Sequence, residues 1–501
     1  MILQALTSLY EALAPKGEVP KEGWSREKIS FALGIDENGD LLRITPLFKP
    51  GDMPKGKKKE EPQEMTVPAA VKRTSGAAAN FLWDNSSYIL GVSLKKGEDD
   101  AEREKRRNKD IKCFEACREL HHSMLDGMEY PAAKAVLNFL DKWEPQKAEE
   151  NNLVAQYAKE ILSGANMVFR FNGGYVHDDP QLASVWQKAN AKQKDNIGQC
   201  LVTGALDEIQ KTHPTIKGVQ GAQSSGAALV SFNASAFCSY NKEQNQNAPV
   251  GKYAAFAYTT ALNHLLADRK NVHRIGDAAV VCWAENADKQ YEDFAAEVFF
   301  GDNVDKSDEQ RLSALRTSLK LLADGLPCKE MDLDPDRKFY ILGLSPNAAR
   351  LAVRFFYCDS FGKIAGNIYK HHERLEIVRP SYDKFPILPL WKLLSATVNP
   401  NAKDKTPNAA MAGAVARAVF SGGRYPASLL ECTFLRIKAE RNITRERAAI
   451  IKAYYLRNPN EKCPKEVLTV SLNENSKNIP YTLGRLFSVY EENQQEANPG
   501  I

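Results

Sequence analysis

Apolar and polar positions change period several times along this chain, and each change predicts a different element. From Ile2 to Leu13 the apolar residues recur at helical spacing and predict an amphipathic first helix. The turn-rich PKGEVPKEGW follows, then an apolar run around Ile29 to Ile35 that predicts a strand, closed into a hairpin through Glu37, Asn38 and Gly39. The segment PLFKPGDMPKGKKKEEPQ shows no hydrophobic periodicity and holds four prolines and a basic run from Lys57 to Lys59, which predicts a mobile surface loop over residues 49–64. From Lys95 to Lys112, eight basic and six acidic residues predict a solvated helical face. Its continuation places Cys113, Cys117 and His121 four residues apart on one side of the helix.

Between Ile275 and Val378 the pattern alternates. Ala278 to Ala284 predicts a strand, Gln290 to Ala323 helical segments, and Phe339 to Leu344 and Leu351 to Tyr357 two strands joined at Ser345, Pro346 and Asn347. Phe361 to His372 reads as a helix and Leu375 to Val378 as extended. The order is β-α-β-β-α-β, the ferredoxin-like arrangement. Leu351 to Tyr357 lacks the aromatic signature with which RNA-recognition motifs stack bases, so this region is expected to be a scaffold. Beyond Pro380 helices dominate: Asn408 to Phe420, then two more between Pro426 and Arg457. The expectation is a multi-domain α+β protein with a mixed N-terminal region (1–274), a ferredoxin-like middle (275–380) and a helical C-terminal region (381–501).

At 501 residues with 43% hydrophobic content the chain can bury substantial cores, enough for roughly three domains. No run approaches the ~20 apolar residues of a membrane span, and the first helix lacks a basic leader and a cleavage site. Nine scattered cysteines, an odd number, suit free thiols in a reducing compartment better than a disulfide framework, so a cytoplasmic protein with no membrane partner is expected. The net charge of +4, from 67 basic and 63 acidic residues, decides nothing globally. Its local distribution matters more.

The most informative stretch is VSFNASAFCSYNKEQNQNAPVGKYAAFAYTTALNHLL, from Val230 to Leu266, where an amide-rich loop runs into an apolar helix. Between Ser231 and Asn247 lie Asn233, Ser235, Tyr240, Lys242, Gln244 and Asn245 among other hydroxyls, carboxamides and aromatics, with no histidine or aspartate. Carboxamides donate and accept, so such a loop can read base edges or bind sugar and phosphate, but it cannot transfer protons near neutral pH. The bland alternative is a polar surface loop that satisfies its own backbone. A second cluster, Lys72, Arg73, Thr74, Ser75 and Gly76 ahead of Asn80 and Asn85, suits phosphate contact, or is simply a charged turn; the glycine-bounded loop of a nucleotide hydrolase is absent. A third lies between Arg436 and Arg457, where Arg436, Lys438, Arg441, Arg445, Arg447, Lys452 and Arg457 meet only Glu440 and Glu446. This net +5 in 22 residues can follow a phosphate backbone or form a solvated helix surface.

Catalytic chemistry has weaker signals. Cys113, Cys117 and His121 are zinc-ligand types, but their spacing is that of one partly buried helix face and not of turn-mounted pairs. His177 and Asp178 resemble the dyad of metal phosphohydrolases, yet lie in the turn GGYVHDDP with no second histidine placed to complete a site. No catalytic residue, metal or cofactor is expected.

Taken together, MILQALTSLYEALA, PAAVKRTSGAAANFLWDN, the Val230 to Leu266 stretch, FYILGLSPNAARLAVRFFYCDSFGKIAGNIYKHHERLEI and RAAIIKAYYLRN resemble the large subunit of the type I-C CRISPR surveillance complex, Cascade, across essentially the whole chain. Cys238, Asn241 and Asn245 stand where that family has an acidic residue and two glycines. The resemblance also implies a further helical segment beyond EANPGI, similar to the complex's small subunit. It implies a non-enzymatic role inside a ribonucleoprotein: with the crRNA and the backbone, handle-binding and small subunits, to recognise the protospacer-adjacent motif on duplex target DNA, help separate the strands and present a surface to a trans-acting helicase-nuclease. Lys72, Arg73, Thr74, Ser75, Asn80 and Asn85 would contact the backbone or motif, the amide-rich loop would form the other side of the site, and Arg436, Lys438, Arg441, Arg445 and Arg447 would guide a displaced strand. A purely architectural subunit and a metal-dependent nuclease using His177 and Asp178 are the competing classes.

Overall fold

The computed structural model describes the chain except for residues 51–59, 72, 74, 75, 96, 192–195, 224, 233, 302–308, 382, 384, 462 and 499–501. It is an α+β protein that divides into two compact units, one made of Lys16–Gly198 with Leu206–Glu208, the other of Met1–Pro15, Gln199–Ala205 and Ile209–Ile501.

In the first unit the apolar run around Ile29 to Ile35 serves two sheets. It breaks at Ser30, whose N–H donates to Asn166 O (2.9 Å) while its carbonyl accepts from Leu47 N (2.8 Å). Trp24–Ile29 pairs with Glu60–Pro68, which also pairs with Phe48–Pro50. Phe31–Ile35 lies between Leu41–Pro46 and a parallel partner, Asn166–Phe171, with Trp83–Asn85 beyond. The expected hairpin through Glu37 to Gly39 is present. Gly39 has φ +81°, and a Cβ there would lie 2.2 Å from Phe139 N, so only glycine lets the turn pack on helix Pro131–Lys142.

The loop expected over 49–64 is corrected at its ends. Residues 51–59 lie outside the described residues, but Phe48–Pro50 and Glu60–Pro68 are strands, because the alternation through Gln63, Met65 and Val67 turns Met65 and Val67 into the core. Helix Asp100–Leu125, capped by Asp99, is solvated over its first turns and buries Cys113, Phe114, Cys117, His121 and Leu125 further on.

The second unit contains a sheet in the order His273–Ile275, Ala278–Ala284, Lys338–Asn347, Arg350–Ser360, every neighbour antiparallel. This is a sequential meander, so the ferredoxin-like order is not formed. Two facts explain it. Leu375 is the buried last residue of helix Phe361–Leu375 and not the start of a strand, and Val378 N donates to Val470 O (3.0 Å) away from the sheet. The fourth place is filled by His273–Ile275, folded back through Gly276. Phe339, Ile341 and Phe355 point from this sheet into a core with Phe299, Phe361 and Phe420, each worth about 1.5–3 kcal/mol of burial. Helix Lys252–Ala267 buries Ala254, Ala257, Tyr258, Ala261 and Leu262, and the N-terminal helix Ile2–Leu13 packs against it, Tyr10 edge-on to Phe256 at 5.5 Å. The polar loop ahead of this helix is therefore mounted on a fixed element.

All nine cysteines are free thiols. Among the described residues no helix is long and apolar enough to cross a membrane.

Candidate nucleic-acid interface

The amide-rich loop of the second unit is built around two inward-facing asparagines. Asn247 accepts from Ser239 N through Oδ1 (2.8 Å) and donates through Nδ2 to Lys242 O (3.0 Å) and Gln244 O (2.8 Å). Asn245, 2% exposed, donates to Gln210 O at 3.0 Å, and Glu243 and Gln246 close a capping box over the short turn Gln244–Asn247. Between Ser239 and Lys242 the chain makes a tight turn, Lys242 N to Ser239 O at 3.0 Å, with positive φ at both central residues, Tyr240 (+53°) and Asn241 (+56°), the pattern of a type I′ turn. The polar side chains that this scaffold leaves exposed are Ser235, Ser239, Tyr240, Asn241, Lys242, Glu243, Gln244 and Gln246. Asn233 lies outside the described residues.

Phe237, in the same loop, is 44% exposed, and the guanidinium of Arg350 lies 4.2 Å from its ring centroid. The fold creates this pairing: Ala228 N donates to Ala349 O (2.9 Å) and Leu351 N to Ala228 O (3.0 Å), stitching the chain that enters the loop to the start of strand Arg350–Ser360. Sequence reasoning missed Arg350 because nothing in its own neighbourhood marks it. It also named Asn245 as a base reader, whereas the structure turns that amide inward; Asn247, which clamps the turn, was not singled out.

The cluster ahead of Asn85, in the first unit, is organised by a buried carboxylate. Asp84, 1% exposed, accepts from Arg73 Nη2, from Asn80 N (2.9 Å) and from its neighbour Asn85 N (2.8 Å). Burial raises its pKa, opposed by Arg73 and by those two backbone N–H groups. Arg73 also donates to Ala78 O (2.7 Å) and lies 4.0 Å from the centroid of Tyr88. Asn80 is 3% exposed with its Oδ1 on Val71 N (2.8 Å), and Asn85 caps helix Ser86–Ile89 through Ser87 N. Arg73, Asn80 and Asn85 therefore come together, but as the frame of the loop. Lys72, Thr74 and Ser75 lie outside the described residues.

The basic patch between Arg436 and Arg457 is largely turned inward. Arg447, 4% exposed, donates to Ala396 O (3.2 Å) and Asn442 O (2.9 Å) and pairs with Glu440. Arg445 bridges Asp383 (2.8 Å) and Phe385 O (2.6 Å), Lys452 donates to Glu376 O, and Arg457 to Ala418 O. Lys438 and Arg441 are exposed, and Arg436 is half-buried beside Glu440. Five consecutive cations on one rail for a displaced strand are not what these helices present.

His121 is a core group. Its Nδ1 donates to Cys117 O (2.7 Å), its Nε2 accepts from Leu82 N (2.9 Å), and its ring stacks on Phe81; burial lowers its pKa to about 4. His177 is buried while Asp178 is exposed, the imidazole Nε2 3.6 Å from the carboxylate Oδ1, and burial lowers the histidine's pKa against the pull of Asp178. Among the described residues no three His, Cys, Asp or Glu side chains are placed to hold a metal ion.

The fold and these polar loops accompany a match to a family of CRISPR-associated proteins that spans residues 6–501. The chain belongs to that family, Cas_Csd1, and its role is CRISPR-associated. Comparison with curated proteins found no match.

Proposed function

We propose that this chain is the large subunit of a type I-C Cascade-like complex. It binds alongside crRNA and the other subunits of the complex, reads the protospacer-adjacent motif on target duplex DNA, assists strand separation and offers a surface to the helicase-nuclease, with no chemistry of its own. The observation that supports motif reading is the clamped loop of the second unit. Asn245 and Asn247 spend their amides on the backbone, and Lys242, Gln244 and Tyr240 are thereby held out to solvent from a fixed frame. A preset loop meets a groove without an ordering cost, and its amide and cation are the groups that discriminate base edges and neutralise phosphates. Lys438 and Arg441 remain as contacts for a displaced strand. Lys72, Thr74 and Ser75 remain as phosphate contacts on the strength of the sequence.

The test is gel-shift binding of the assembled complex to crRNA-matched duplexes that differ only in the flanking motif, across a salt series. Gln244→Ala is expected to erode motif preference with an unchanged salt slope. Lys242→Ala is expected to weaken all motifs equally and flatten the slope by about one unit. Full preference in both variants would remove readout from this loop and leave the chain an architectural subunit.

A further inference from the structure

We infer that Tyr240 is a stacking side chain that inserts against the end of a nucleic-acid base stack. The inference deepens the proposed reading of the loop and rests on it.

Tyr240 is 95% exposed, so its ring packs on nothing in the chain. Its backbone φ is +53°, in the left-handed region, followed by Asn241 at +56°. Glycine or asparagine adopts that conformation at least cost, whereas a bulky side chain there costs about 1 kcal/mol or more. The turn therefore gains nothing from a tyrosine at this position, and burial does not repay its presence. The turn is also rigid. Asn247 holds the residues on both sides of it, through Ser239 N and Lys242 O, and Asn245 ties the following segment to Gln210 O. A flat aromatic ring thus stands in water at the apex of an immobilised turn, with little conformational freedom left to lose on binding.

The surroundings select the ligand class. The described residues flanking the ring, Ser239, Asn241, Lys242, Glu243 and Gln244, are exposed and polar; the one anion among them, Glu243, is turned to the backbone N–H of Gln246 in the capping box, which leaves Lys242 as the cation offered outward. An aromatic anchor for a protein partner sits in an apolar patch that packs around it. A lone ring bordered by hydroxyl, amide and ammonium groups matches a nucleobase face with its sugar and phosphate edges. The same loop carries a second platform of this type, Phe237 under the Arg350 guanidinium at 4.2 Å. Stacking requires only a π-face and is sequence-tolerant, so Tyr240 would hold an opened base step next to the motif, while Gln244 reads the motif and Lys242 neutralises a phosphate beside it.

The experiment uses the assembled complex and a crRNA-matched duplex with 2-aminopurine at the first target position beside the flanking motif. Unstacking raises its fluorescence. Tyr240→Ala is expected to slow that rise by on the order of tenfold while preserving motif preference in gel shifts, and Tyr240→Trp to restore it. Opening at the wild-type rate in Tyr240→Ala would overturn the proposal. So would loss of another protein subunit from the purified Tyr240→Ala complex with wild-type opening in what remains assembled, since the ring would then be a protein anchor. Gln244→Ala, measured alongside, reads the loop assignment separately: unchanged motif preference there with slowed opening in Tyr240→Ala would keep the stacking role and discard the base readout.

Discussion

His121 shows how a single side chain can be legible in its placement and opaque in its effect. Its spacing from Cys113 and Cys117 already put it on one buried helix face, and the structure seats it there with both ring nitrogens bonded to backbone. An unfolded histidine takes up its proton near 6.5, His121 only near 4. Between those values the folded state holds fewer protons than the unfolded one, so stability falls as pH drops, by about 3 kcal/mol over the window. His122 runs the other way: hydrogen bonds to Asp141 and Asp126 raise its pKa, and its contribution is present at low pH and lost as pH climbs through the raised value. Replacing His121 with glutamine should flatten the decline between pH 6.5 and about 4 in urea unfolding, the effects of His122 and Asp84 cancelling in the comparison with wild type. An unaltered slope would mean that His121 does not stay neutral in the fold. The amides of the polar loop were harder to read. Asn245 and Gln244 are neighbours of like chemistry, and the partner that holds Asn245 inward, Gln210 O, is 35 residues away in sequence.

At the scale of elements, periodicity located most helices, and failures arose where an element's partner is distant in sequence. The segment after Leu375 has strand-like composition, but its hydrogen bond goes to Val470, which no local pattern predicts. The basic helix Arg445–Arg457 was misjudged for a subtler reason. Arg447 and Arg457 share a helical stripe with the buried Ile450, at offsets of three and seven, so the spacing did carry the signal, yet counting charge concealed it. Helix Ile479–Ala497 is the opposite case. Ile479, Leu483, Leu486, Phe487 and Tyr490 fall on one face, yet none of its residues is buried. A lone helix of this length is marginal in water. In hydrogen exchange of the isolated chain its amides should lose protection well before those of Phe361–Leu375, whose apolar face is packed; equal protection would show that the stripe is covered.

For the molecule as a whole, the arithmetic of charge misleads. The sequence carries +4, but Arg73, Arg445, Arg447, Lys452 and Arg457 are committed to carboxylates and carbonyls of the fold. Arg447→Ala should therefore cost about 3 kcal/mol in unfolding experiments, leaving its acceptors unmatched, yet leave the salt slope of DNA binding by the assembled complex unchanged. Lys438→Ala should do the reverse, with stability within about 0.5 kcal/mol of wild type and a shallower slope. If Arg447→Ala flattened the slope as Lys438→Ala does, the inward placement of the cations would be wrong.

The clamp made by Asn247 has a consequence for how this protein can change. Because the residues that hold the turn are different from those it displays, Ser235, Tyr240, Lys242 and Gln244 can be exchanged without asking the scaffold to refold. On the proposed reading of the loop, a lineage under pressure from invaders that alter their sequences revises what the loop prefers by single substitutions, each visible to selection at once, while the frame beneath is left unchanged.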